Sequence, residues 1–525
     1  MSHVQRAFPL IFAALLIAAV AIVTQRVSGQ AAAPQILHPQ LALRTVVSDL
    51  ALPTSLSFLG SDDLLVLEKD TGRVRRVLNG VLQPQPLLDL AVNNASERGL
   101  LGIALHPDFP DNPGVYLFWS CRTLEPPAVA FFPDQQECSD TNMFGADSAD
   151  ILAAPLLGNR VDRFVFNGST LQFDRNLVTL RSFQHDGAPV PAGQGDEAQP
   201  PRGNHDGGVI LFGADRKLYV LFGDVGRRSQ LQNLPSGPTA TGLGPTVEDD
   251  QFGGPAPDDA HFAGVILRLN DDGSTPEDNP FHAAGASIGG EVGENIQRIF
   301  TYGIRNSFGM ALDPLSGSLW FQENGEDAYD EINRATPGMN SGWIQIAGPA
   351  SRVADFKAIE TTALHHEDFP NLQQFRWGPE RIADTPAEAL SRLFMLPGAQ
   401  YRDPEFSWKF VLAPAGMGFA GTGLGPQFVG DLFVGMSVPE PEGGPLLHFN
   451  LTGNRRRIAV DDPRLEDRVA DNLTFHDLTE SESLLIGRDF GIVTDIETGP
   501  NGNLFVVSLD RGAIYEIHRR GRRGH

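Results

Sequence analysis

One phrase recurs along this chain: a turn carrying Gly or Asp, a short strand with large apolar residues, and a second turn. It reads GSDDLLVLEKDTGRVRRV at 60–77, NPGVYLFWS at 112–120, FGADRKLYVLFGDVG at 212–226, DPLSGSLWFQENG at 313–325, VGDLFVGMSV at 429–438 and GPNGNLFVVSLDRGAIYEIHR at 499–519. Within each phrase apolar and polar residues alternate between Gly, Asp, Asn and Pro, the pattern of antiparallel strands joined by tight turns. Helical periodicity is almost absent. A turn-strand unit repeated at irregular spacing predicts radial sheets stacked around a channel, with insertions between strands. A pair of packed sandwiches would also give many strands, but sequential domains rarely reuse one phrase so faithfully. The expectation is therefore an all-β chain, a six-bladed β-propeller over residues 40–520 with long inserted loops at 121–158, 230–258 and 346–400. Those insertions are rich in Pro, Gly, Ala and acidic residues, and read either as solvated surface or as a rim around a pocket. The stretch LALRTVVSDL (41–50) is expected to complete the last blade beside residues 504–518 and so to close the ring.

Composition narrows the partners. The 525 residues carry 40 basic and 65 acidic side chains, a net charge of −25. Such a chain repels a phosphate backbone, which makes nucleic acid a poor partner and cations better ones. Residues 1–29 have a short basic start (His3, Arg6), an uncharged apolar run from Ala7 to Val23 and the small residues Ser28 and Gly29. They read as a secretory signal and predict a periplasmic or extracellular protein. An uncleaved N-terminal anchor is the alternative, and only then is a membrane a partner. Cys121 and Cys138 are the two cysteines of the sequence. In an oxidising compartment the simplest expectation is a Cys121–Cys138 disulfide closing a surface loop, with two free thiols as the alternative.

Four segments exceed what strand packing demands: ERGLLGIALHPDF (97–109), RGNHDGGVILFGAD (202–215), TYGIRNSFGMALD (301–313) and ENGEDAYDEINRATPGMNSGW (323–343). His205 lies among glycines directly before a strand, where the backbone turns sharply and a near-neutral imidazole can accept a proton. Capping a turn is its bland role. Arg305 and Asn306 follow a strand-like IFTYGI, and an inward-facing guanidinium calls for an anion, either a ligand or a neighbouring acidic residue. The run from Glu323 to Asn333 offers Glu326, Asp327, Asp330 and Glu331 around Gly325, oxygen donors that suit a hard cation or merely a solvated loop. His106 and Asp108 read as turn-forming. Trp343 reads as packing between blades, or as a surface for a sugar ring.

With GVILRLNDDG (264–273) and DPEFSWKFVLAPAGMGF (403–419), these motifs resemble, in order over about residues 42–519, the soluble quinoprotein glucose and sorbosone dehydrogenase family. The resemblance implies a secreted propeller that oxidises an aldose or related alcohol with pyrroloquinoline quinone (PQQ) held on calcium, passing electrons to an external acceptor. It places the general base at His205, with Asn204 and Asp206 flanking and orienting it. It assigns cofactor contacts to Arg305 and Asn306, the calcium-binding carbonyls to Gly325 and Glu326, and substrate contacts to Glu97 and Asn204. Pro is common in the family where this chain has Glu326, and the new carboxylate is expected to strengthen cation binding. The chain also departs from the pattern in its last blades. The family there adds a Lys and further Arg residues that clamp the cofactor's carboxylates, whereas VGMSVPEPEGGPLLHF (434–449) and GRDFGIVTDIETGP (487–500) contain no Lys and place Ile492 and Thr494 where the arginines best match. At about 1.5–3 kcal/mol for each hydrogen bond to a charged group, that loss amounts to several kcal/mol. Lys409 or Arg488 is left to substitute. The alternative reading keeps propeller and calcium and drops the redox chemistry, leaving a secreted carbohydrate- or protein-binding module.

Overall fold

The turn chemistry of the recurring phrase translates directly into hairpins. Asn79 and Gly80, at φ 53° and 72°, close the turn between Arg73–Leu78 and Val81–Leu82, a left-handed pair that only Asn, Asp and Gly adopt cheaply. The computed structural model of the protein describes residues 32–94, 96–121, 158–180, 182, 205–225, 263–343, 345–360, 383–438 and 443–521. Residues 1–29, Cys138, Asn204, the 230–258 insertion and most of the 121–158 insertion lie outside the described residues. Cys121, which follows strand Gly114–Ser120, is disulfide-bonded. No helix among the described residues is long and apolar enough to cross a membrane.

Among the described residues the strands form six sheets. In chain order their inner strands are Pro53–Gly60, Leu100–Leu105, Ile210–Phe212, Met310–Leu312, Pro414–Phe419 and Val493–Thr498. From each, the chain runs outward through antiparallel neighbours; the second sheet, for example, continues through Gly114–Ser120 and Asn159–Phe166 to Leu171–Leu180. Each inner strand touches the next in sequence, and Val493–Thr498 returns to Pro53–Gly60, so the ring is closed. The architecture is an all-β propeller. Its closure uses the N-terminal segment: Leu41–Val47 pairs antiparallel with Ala513–Arg519, the last strand of the chain, and Gln35–Ile36 edges the fifth sheet against Leu485–Arg488.

The core lies between the sheets rather than inside any one of them. A separate apolar cluster fills each junction, including that between the last sheet and the first, where Leu56, Val66, Phe505, Val507 and Ile514 meet. Middle strands are covered on both faces. Gly114–Ser120 is buried at every position, so the expected alternation is lost there. Trp119, Trp320, Trp343 and Trp408 are fully buried.

Two expectations need correction. Short helices do occur, at His282–Ile288, Gly290–Arg298, Val353–Glu360 and Pro386–Arg392. The 346–400 insertion, where described, is packed structure instead of solvated loop: Ile346, Ala350, Val353, Ala383, Ala389 and Leu393 form a buried cluster. The apolar side chains scattered through an Ala- and acid-rich segment recur on the inner faces of two short helices, which the strand-centred reading passed over. Because Leu41–Val47 is the hydrogen-bond partner of the last strand of the chain, deleting residues 40–50 exposes one edge and opens one apolar junction. A thermal melt followed by circular dichroism is expected to show a midpoint lowered by at least about 5 °C; an unchanged melt would mean the ring does not depend on that strand.

Candidate functional site

The segments singled out in the sequence meet where the inner strands end. His205 has φ 62° and is followed by Gly207 and Gly208 at 63° and 106°. This left-handed course turns the chain sharply before Ile210–Phe212. A side chain at Gly223 would collide with the His205 carbonyl and with Asn306 Oδ1, so a glycine there lets two segments come together. His205 is buried, at 4% exposure. Its Nδ1 lies 2.6 Å from Asp224 Oδ1, and its backbone N–H donates to Glu97 Oε2 at 2.6 Å. An ionised carboxylate only accepts, so the proton of a neutral ring sits on Nδ1 and Nε2 is left as the basic nitrogen.

Asp224 joins three segments. Besides His205, its Oδ2 accepts from Trp343 Nε1 at 3.0 Å, and its N–H donates to the Arg305 carbonyl at 2.8 Å. Trp343 is thus more than packing, because its ring also lies under the Arg305 guanidinium, 5.6 Å from centroid to Cζ, within cation–π range. Asn306 Nδ2 donates to Glu97 Oε2 at 3.1 Å, the same oxygen that takes the His205 amide.

Arg305 is held from below and from the side. Its N–H donates to Glu323 Oε1 at 2.7 Å, Nη1 donates to the Asn324 carbonyl at 2.9 Å, and Nη2 pairs with the Glu326 carboxylate. Burial works against the guanidinium charge, but Glu326, Asp224 and Glu97 outweigh it and raise its pKa. The expected strengthening of a cation site by the Glu326 carboxylate is therefore not what the structure has: that carboxylate is turned to Arg305, the nearest buried counter-charge.

Most of the acidic run serves as hydrogen-bond acceptors for backbone amides. Asp330 Oδ1 takes the Gly325 N–H at 2.8 Å, and its Oδ2 takes the amides of Leu412 and Ala413 at 2.5 and 2.6 Å. Glu331 takes the Gly348 amide at 2.6 Å. Glu360, from the helix Val353–Glu360, takes the amides of Asp327 and Ala328 at 3.2 and 3.3 Å. Burial raises these acids: Asp330 to about 6 and Glu331 to about 7, and Glu323 and Glu360 well above the usual carboxylate range, the first also pushed by Glu331 and the second by Asp327. Across a trans peptide, N–H and C=O point in opposite directions, so the Asp327 amide bond to Glu360 directs the Glu326 carbonyl the other way. A Cβ at Gly325 would collide with the Ala328 carbonyl. Among the described residues no three His, Cys, Asp or Glu side chains converge to hold a metal, so a cation at this turn would depend on carbonyl oxygens.

Glu97, His205, Arg305, Asn306, Gly325 and Glu326 are thus contiguous. Asp206 does not orient His205; it points the other way and accepts from Asn159 Nδ2 at 2.7 Å. The left-handed turn at His205 separates their side chains, and Asp224 takes the orienting place. Asp224 was findable. Continuing the hairpin register Ile210↔Val220 brings residues 205 and 206 beside 225 and 224. Glu323 stood within the acidic run that the sequence displays, whereas Glu360 had no such signal. Lys409 and Arg488 lie on outer strands of the fourth and fifth sheets, and Arg488 donates to Gln35 Oε1 at 3.1 Å. Neither reaches the inner strands.

A closed β-propeller with a buried His–Asp pair, a guanidinium on an indole and a carboxylate-held turn at the ends of its inner strands defines the class of protein. The glucose/sorbosone dehydrogenase family model matches residues 50–140 and 195–352 of this chain. A Synechocystis protein described as uncharacterized is 25% identical over 481 residues, 90% of this chain and 84% of its own. Quinoprotein glucose dehydrogenase B of Acinetobacter calcoaceticus is 28% identical over 317 residues, 58% of this chain and 52% of that protein. Aldose sugar dehydrogenase YliI of Escherichia coli is 26% identical over 306 residues, 58% and 57% of the two chains. The alignments to these two enzymes thus span little more than half of each. The solved soluble aldose sugar dehydrogenase of Escherichia coli shares the fold, with a TM-score of 0.55, 21% identity, and coverage of 91% of this chain and 100% of that one.

Burial raises Asp206 to about 7, with Arg98 and Asn159 acting against it. Its folded pKa lies above its ordinary 3.8, so the folded chain holds the proton through that window and this group's contribution to stability is lost as pH rises towards 7. The melting midpoint of Asp206→Asn minus that of wild type is expected to increase steadily from pH 4 to pH 7.5. A difference independent of pH would contradict the burial argument.

Proposed function

We propose that the chain is a secreted, six-bladed oxidoreductase, one blade per sheet, that oxidises a hydroxyl of an aldose or related alcohol. In this reading PQQ is held on calcium, and an external acceptor takes the electrons. The observation that carries the reading is the His205–Asp224 pair, a buried base fixed in one tautomer beside Glu97 and Arg305. The family relatives named as quinoprotein glucose dehydrogenase and aldose sugar dehydrogenase support it. The apolar signal-like segment at residues 1–29 supports secretion to the periplasm or beyond.

The residues present suit such a cofactor on one side. Arg305 Nε and Asn306 Oδ1 are buried without a hydrogen-bond partner among the described residues, polar atoms that a polar ligand would satisfy. Arg305 and Asn306 would hold the cofactor, and the carbonyls of Gly325 and Glu326 the calcium. When bound, PQQ supplies a two-electron acceptor for a hydride from the substrate carbon. The protein's own part is to manage the proton. His205 Nε2 accepts it from the substrate hydroxyl, while Asp224 keeps the Nδ1 proton in place and balances the charge of the imidazolium that forms. Glu97, half-buried beside the His205 amide, accepts a hydrogen bond from a neighbouring sugar hydroxyl and fixes which hydroxyl faces the base. Asn204 adjoins His205 in the chain and would contact the same sugar.

A second reading, a calcium-dependent carbohydrate- or protein-binding module without redox chemistry, draws on one observation. The inner strands of the last two sheets, Pro414–Phe419 and Val493–Thr498, contain neither Lys nor Arg. The two readings part in one experiment. After reconstitution with PQQ and calcium, the protein is expected to show quinone absorbance and to reduce a dye with at least one aldose. His205→Ala is expected to lower turnover by about 10²–10⁴-fold with cofactor binding retained. Full activity in His205→Ala would remove the base assignment. Binding of sugar with no quinone absorbance would favour the module.

A further inference from the structure

Both Nη groups and one face of the Arg305 guanidinium are engaged from within the chain. Nη1 is taken by the Asn324 carbonyl at 2.9 Å, Nη2 by the Glu326 carboxylate, and the flat face by Trp343, while Nε remains unpartnered. Arg305 and Glu326 are both largely buried, with side-chain exposures of 8% and 11%, so the pair is poorly screened and neither charge is readily given up to solvent. An Arg offers its Nη groups as the fork that recognises a carboxylate. Here one tine is already held by an internal carboxylate and the other by an internal carbonyl.

We propose that Glu326 is a built-in competitor for the anion-binding edge of Arg305. This rests on the reading above, in which an acidic quinone cofactor sits against Arg305. Binding such an anion across the full Nη edge requires that the Arg305–Glu326 pair be broken; otherwise the ligand shares the guanidinium with Glu326 and accepts only from the N–H groups that the internal partners leave over. It also places the ligand's carboxylates near a fixed negative charge. The inner strands Pro414–Phe419 and Val493–Thr498 add no Lys or Arg to Arg305, so an acidic ligand there gains no cation from those two strands. This chain therefore binds the acidic cofactor weakly, and the residue at 326 sets how weakly. A neutral side chain at that position frees Nη2 and removes the repulsion in one change.

The test measures binding, not turnover. Apo protein, purified without the cofactor and kept at fixed calcium, is titrated with PQQ by equilibrium dialysis as wild type, Glu326→Gln, Arg305→Gln and the double variant. Glu326→Ala serves as a second neutral replacement, and near-ultraviolet circular dichroism reports folding. Both neutral variants at 326 are expected to bind PQQ about 10- to 100-fold more tightly than wild type, the worth of one hydrogen bond between charged groups. In the Arg305→Gln background the same substitution is expected to gain less than about 3-fold. Equal or weaker binding by Glu326→Gln overturns the proposal while leaving the quinone reading intact. A gain of the same size without Arg305 also overturns it, since that would be general charge removal. Binding by none of the proteins overturns the quinone reading and this proposal together.

Discussion

The carboxylate of Asp224 is the constraint on which the rest of the site depends. One side chain fixes the ring of His205, anchors the indole of Trp343 and sits on a residue whose amide holds the Arg305 carbonyl. Those partners lie just outside strands of the third sheet, His205 before Ile210–Phe212, Arg305 after Ile299–Tyr302 and Trp343 after Met339–Asn340, and Trp343 is 119 positions from Asp224 along the chain. Buried without them, the carboxylate would carry a large desolvation cost. With them it converts three independent segments into one rigid corner. The propeller brings the adjoining sheet to this corner through Glu97, which precedes the second sheet's inner strand Leu100–Leu105 and accepts from the His205 amide and from Asn306 Nδ2.

The same logic repeats at the acidic turn. Asp330, Glu331, Glu323 and Glu360 are spent on backbone amides, which have no strand partner where the chain leaves the sheet. Paired in this way, a carboxylate stays buried although burial pushes its pKa upward. The arrangement sets the direction of the Glu326 carbonyl and the position of the Arg305 backbone. Rigidity here comes from hydrogen bonds to ionisable groups, whereas between the sheets it comes from apolar packing.

The fold was legible because its signal is repeated: six phrases with the same turn residues, and an N-terminal strand matching the C-terminal one. The site was legible only where a motif carried it. His205, Arg305, Asn306 and Gly325 stood out by residue type and by family resemblance, and they do converge. Asp224 lay in plain view inside a strand phrase, FGDVG, and was passed over because its role follows from hairpin register, not from any motif. Asp206 was misassigned for the complementary reason. Adjacency in sequence does not give two side chains a shared direction: neighbours in extended backbone point to opposite faces, and at His205 the backbone is left-handed. The fate of the Glu326 carboxylate turned on a competition between a cation to be bound and a guanidinium already present, which spacing along the chain does not encode. The short helices were missed because helices of seven to nine residues lack the length that makes a 3.6-residue period visible.

Whether this corner prepares a base rests on the tautomer of one ring. Nitrogen-15 NMR of protein labelled at histidine, with His205 assigned by its absence in a substituted variant, reads which ring nitrogen carries the proton. At a pH where the ring is neutral, the proton is expected on Nδ1, with that preference weakened when Asp224 is replaced by Asn. A proton on Nε2, or a ring indifferent to Asp224, would mean that the corner described here does not prepare a base.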